Sequence, residues 1–145
     1  VEYWEKTIAA SFQELAQDSS KALAAARSGE AARGGFVDEM LELASVSPRS
    51  AVLESYCRIE LRLKSILEDA ELMPTRPTGA RIMAETALKN DLATAGTVDA
   101  IRKMSTLRNL AAHGHDDGDI DQEQALEFIN LASAVLSALD LTSRH

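Results

Sequence analysis

Apolar residues return along this chain at intervals of three and four, the spacing of one helix face, and nowhere in the strict alternation of a strand. The first such run spans 3–26, with Trp4, Ile8, Phe12, Leu15 and Leu23 on one side, Ala9 and Ala16 beside them, and neither Pro nor Gly inside. Gly34 and Gly35 break the pattern, and Val37, Met40, Leu41 and Leu43 predict a short helix over 36–45. The third helix has the clearest start. Ser47 can accept from free backbone N–H groups, and Pro48 suits the first helical position, where its missing N–H has no partner to lose. Behind that cap, Val52, Tyr56, Ile59, Leu63 and Ile66 form an apolar stripe over 48–70, with Glu54, Arg58, Arg62, Glu68 and Asp69 on the outer face.

Pro74, Pro77 and Gly79 mark a stiff loop, after which Ile82, Met83, Ala87 and Leu88 predict a helix over 79–90. Gly96 interrupts, and Thr97 is the expected cap of a helix over 98–112. A polar turn follows, carrying His115, Asp116, Asp117 and Asp119. The last helix, 121–139, presents Ala125, Phe128, Ile129, Ala132, Val135, Leu136 and Leu139. The expected fold class is therefore all-α, a compact bundle of five or six helices. Residues 1–35 supply an N-terminal helix and a Gly-containing linker packed on a core of 36–145.

Composition agrees. In 145 residues, 46% hydrophobic but only 4% aromatic, Ala and Leu dominate, which favours close helix packing over a sheet. Fifteen basic against 23 acidic residues give a net charge of -8, opposing nonspecific attachment to nucleic acid or an anionic membrane, and no stable DNA binding is expected. Cys57, the single cysteine, excludes an intrachain disulfide and fits the reducing cytoplasm. No run is read as a membrane span or a signal peptide. The start at Val1 suggests a segment of a longer protein, cytoplasmic, with an upstream domain, anchor or protein partner missing.

Candidate chemistry concentrates in Arg108-Asn109-Leu110-Ala111-Ala112-His113. At 100° per residue, Ile101, Met104, Ala111 and Ala112 share an arc and Arg108 points into it, which is costly for a guanidinium without a partner. Glu60 is the expected carboxylate, with Arg58 near it on the third helix. Asn109 and His113, four apart, stand on the adjoining face, His113 at the carbonyl end of the helix. His113, His115 and Asp117 are too few for a zinc site, and the Asp cluster lacks the closing Glu of a calcium loop. Gly34–Gly35 is followed by no phosphate-loop Lys.

The Arg108-Asn109-x-x-x-His113 run near a helix end, followed by Gly114 and a final helix, resembles the signature of the HEPN superfamily of small all-helical domains. The capped segment from Ser47 through Arg58-Ile59-Glu60-Leu61 is similar to a bacterial, largely uncharacterised branch of it, and the likeness covers about 36–139. The resemblance implies a HEPN-like fold and a homodimer. It also implies a metal-independent endoribonuclease with no cofactor, in which Arg108, Asn109 and His113 from both subunits line one cleft. Many relatives are noncatalytic dimerisation or interaction modules, and that alternative stands beside the nuclease.

Overall fold

The computed structural model describes residues 2–18, 34–113 and 120–143. Among them are six helices and no strand: α1 (Glu2–Asp18), α2 (Gly34–Val46), α3 (Pro48–Asp69), α4 (Ala80–Lys89), α5 (Ala95–His113) and α6 (Gln122–Ser143). The all-helical bundle expected from periodicity is what forms. The second half of the long first helix, including Leu23, and the linker up to Arg33 lie outside the described residues.

The core is made by α6, α3 and α5, with α1 laid across α5 and α6, and α4 bridging α3 and α5. Along α1, Trp4, Ile8 and Leu15 of the expected stripe are buried, while Ser11 is buried in its middle and Phe12 is only half-buried. The Trp4 indole N–H donates to the Gln124 carbonyl at 3.2 Å, and its ring lies 6.0 Å from that of Phe128. Arg62 on α3 reaches Asp140 on α6 at 2.6 Å, joining the two longest helices at their far ends.

Local chemistry explains most helix ends. The Ser47 hydroxyl accepts from Ser50 N–H at 3.1 Å with Pro48 at the first turn, as the sequence predicts. Asp121 and Gln124 cap α6 reciprocally: the Asp carboxylate takes the Gln N–H at 2.7 Å, and the Gln side chain takes the Asp N–H at 3.0 Å. At the start of α5 the cap is Thr94, not Thr97, since Thr97 N–H donates to the Thr94 hydroxyl at 3.3 Å. The helix therefore begins three residues before the expected 98, at Ala95, and Gly96 sits buried in its first turn instead of breaking it.

A further correction concerns α6. It continues to Ser143 rather than ending at 139, and at 22 residues with mean hydropathy 1.4 it is long and apolar enough to cross a membrane. In this fold 67% of its apolar window is buried inside the protein, which is the environment of a core helix. Residues Ala125, Phe128, Ile129 and Leu131 through Leu139 are all enclosed by neighbouring helices.

Candidate functional site

The C-terminal half of α5 runs past α3 and the start of α4, and between these three helices an open cleft of about 530 Å³ forms. Met104, Leu107 and Ala111 hold α5 in the core. Leu107, fully buried, belongs to the apolar arc as much as the residues the spacing singled out. Arg108 stands four residues beyond Met104 and three before Ala111, at the margin where the cleft begins, and it is half-buried.

Arg108 and Asn109 both line this cleft, Asn109 exposed. The Arg108 guanidinium donates to the Asn109 side-chain oxygen at 3.3 Å, a long bond. Glu60 lines the same cleft, yet no carboxylate among the described residues comes within 4.0 Å of the guanidinium. The expected Arg108–Glu60 ion pair is thus replaced by two opposite charges sharing an open space. Arg58 is elsewhere. It bonds Glu54 at 2.9 Å and Glu39 at 2.8 Å, tying α3 to α2, and both bonds favour its charged form.

His113, in the last turn of α5, is exposed and does not line the cleft. A single chain therefore brings Arg108 and Asn109 together but leaves the imidazole outside. Beside it, the Arg49 guanidinium donates to the Ala112 carbonyl, so the first turn of α3 covers the carbonyl end of α5 with a positive charge. His115, Asp116, Asp117 and Asp119 lie outside the described residues. Among the described residues no three His, Cys, Asp or Glu side chains converge as a metal site would require. Cys57 is a half-buried free thiol, pushed upward in pKa by burial and then by Glu54 and Glu60.

Other polar residues of the cleft were not marked as part of a site by spacing. Tyr56, counted in the α3 stripe, is buried but turns toward the cleft with Ser105 of α5. Burial raises its hydroxyl pKa, a hydrogen bond to Ser105 opposes this, Glu60 adds to the rise, and Arg108 and Arg81 pull it back. Arg81, exposed in the first turn of α4, lines the cleft opposite α5. The available signal was the Gly79 N-cap, which offers no side chain to the free amides behind it.

Chemically, the cleft offers guanidinium and amide donors, one buried phenol and two carboxylates, Glu60 and Glu85, the second already held by Arg102 at 2.9 Å. It can bind an anion and orient a polar substrate. The His113 imidazole is not among the groups that line it. No protein-family model matches the chain, and neither a curated protein nor a solved structure does.

Proposed function

We propose that this domain is a metal-independent endoribonuclease of the HEPN type that acts as a homodimer, Arg108, Asn109 and His113 being its catalytic residues. The observation that carries this reading is the state of Arg108: half-buried, without a carboxylate within 4.0 Å among the described residues, and open to a cleft beside Asn109. An ion pair would have engaged these donors, whereas without one they can meet an anion in the cleft. The placement of His113 outside its own chain's cleft suits a site shared by two copies, in which the partner subunit's His113 completes the constellation. The reading places the domain in the cytoplasm.

In the proposed reaction a ribose 2′-hydroxyl attacks the adjacent phosphorus while His113 takes its proton. Arg108 stabilises the charge growing on the phosphoryl oxygens through its fork of donors, and Asn109 orients it. The bond from phosphorus to the 5′ oxygen breaks, and that oxygen takes a proton from an imidazolium. The products are a 2′,3′-cyclic phosphate and a free 5′-hydroxyl.

The test incubates purified protein with structured and single-stranded RNA in excess EDTA and analyses the new ends. Cyclic phosphates that disappear in folded His113→Ala protein, with a rate loss of about a hundred- to ten-thousand-fold, support the reading. Activity unchanged in both His113→Ala and Arg108→Ala overturns the site. A second reading, a noncatalytic dimerisation or protein-interaction module, draws on the net charge of -8 and on Glu60 and Glu85 in the cleft, which repel phosphate. A folded dimer that cuts no RNA across a wide panel favours it. A strictly monomeric species at micromolar concentration in sedimentation removes the shared site.

A further inference from the structure

The chain is strongly acidic, yet one cleft gathers two arginines from different helices, Arg81 of α4 and Arg108 of α5. Neither has a carboxylate within 4.0 Å among the described residues. Of the two acidic groups sharing the space, Glu85 is bonded to Arg102 at 2.9 Å, which leaves Glu60 facing both guanidiniums. The buried Tyr56 hydroxyl lines the same cleft, and both arginines oppose the rise in its pKa that burial causes. Two guanidiniums without carboxylate partners lining one cleft offer the forked donors that phosphate oxygens accept.

The start of α4 adds donors. Ala80, Arg81 and Ile82 carry backbone N–H groups that no intrahelical carbonyl can reach, and the Gly79 cap has no side chain to accept from them. All four residues line the cleft. A Cβ built on Gly79 meets nothing within 4 Å, so the space before this helix end is open. The helix N-terminus carries partial positive charge, which acts with Arg81 on the same volume.

We infer that Arg81, with the uncapped amides at the start of α4, binds the phosphate adjoining the scissile one, which itself sits at Arg108, so that the cleft holds two successive phosphates of single-stranded RNA. The identity of the ligand rests on the ribonuclease reading. The anion subsite rests on the cleft. Arg81 is a substrate-binding residue here and takes no part in proton transfer.

The probe is a fluorescein-labelled 2′-O-methyl oligoribonucleotide, uncleavable because its nucleophile is blocked, followed by anisotropy in EDTA over a range of salt. Arg81→Gln is expected to weaken binding about tenfold, the scale of one charge-assisted contact. It is also expected to flatten the dependence of log K on log salt by about 0.7, one phosphate contact fewer. Gly79→Asp places a carboxylate on the free amides in space already open. It should weaken the probe as much while leaving the melting temperature equal or higher, since Asp is a preferred cap.

The inference is overturned if the wild-type protein does not bind the probe, or if both variants bind it as wild type does. Cleavage of ordinary RNA that needs His113 while probe binding ignores Arg81 and Gly79 removes the subsite and leaves the nuclease. Probe binding that needs Arg81 and Gly79, with no ordinary RNA cut, retains the subsite and removes the nuclease.

Discussion

Replacing Arg108 with Ala separates a catalytic guanidinium from a structural one. If Arg108 were half of a buried pair, its loss would strand a carboxylate and cost about 3–5 kcal/mol. For a chain of this size roughly 3 °C of melting temperature accompanies each kcal/mol, so the fall would be about 10–15 °C. The geometry here argues for much less. The substitution removes two methylenes, half-buried, worth about 0.8 kcal/mol together. It also removes one long bond at 3.3 Å to an exposed Asn109, worth a few tenths more at about the level of a surface contact. The expected destabilisation is about 1 kcal/mol and the expected fall about 3 °C, read by a thermal melt with circular dichroism. Cleavage of RNA by the same preparation should drop about a hundred- to a thousand-fold, the scale for losing one donor to a developing oxyanion. A melting temperature more than about 8 °C lower would show that Arg108 holds the fold together, and the argument from its unpaired state would collapse.

Two further outcomes follow from the helix ends and from one carboxylate. Asp121→Ala removes the side-chain half of the α6 capping box and should cost about 1 kcal/mol, seen in calorimetry as a fall of about 3 °C; an unchanged melt would mean that the box contributes nothing. Glu127 on α6 has a buried oxygen without a partner, and burial, then Glu5, Glu123 and Asp121, push its pKa up. The folded state thus holds this proton more tightly than the unfolded chain does. Its contribution is fully present below the unfolded value of about 4.3 and is lost as pH rises through the raised folded value. Glu127→Gln should therefore gain in melting temperature over wild type as pH increases through that window, and a difference that does not change with pH would refute the assignment.

The helices were legible because their apolar faces are. The stripe on α3 and most of that on α1 are those seen in the sequence, and the Ser47–Pro48 start is encoded by the two residues themselves. The ends of α3 and α4 fall within one residue of the expected 70 and 90, but periodicity does not show how a helix is stopped when no glycine announces it. Both α3 and α4 end with a non-glycine residue in the left-handed region, Glu71 and Asp91, each at φ 60°. In both, the next residue folds back, Leu72 N–H to the Leu67 carbonyl and Leu92 N–H to the Ala87 carbonyl, each at 2.8 Å. Leu72 and Leu92 pack on the core, so burial of an apolar side chain just past each helix outweighs the conformational cost. The same competition explains Gly96. A Thr94 cap and a closely packed first turn keep it helical, although its propensity argues for a break.

The site was less legible than the fold because spacing gives direction around a helix but not depth along it. Arg108 does lie on the buried side of α5, between Met104 and Ala111, and from that alone a guanidinium requires a carboxylate. The requirement lapses because the neighbouring wall at that level is Tyr56 and Glu60 of α3 together with the open start of α4, and the side chain reaches an open cleft instead of a core. Glu60 is a neighbour of Arg108 in the cleft and not the ion-pair partner expected of it. Arg81 could not be linked to Arg108 from sequence, since their proximity depends on α4 bridging α3 and α5. His113 shows the opposite limit. It is four residues from Asn109 and on the same face, yet it falls beyond the end of the cleft, so the spacing that joins the motif in sequence divides it in one chain. Chemistry that needs Arg108 and His113 on one phosphate requires the exposed imidazole to reach a cleft it does not line, so the oligomeric state and the His113→Ala rate test the same point.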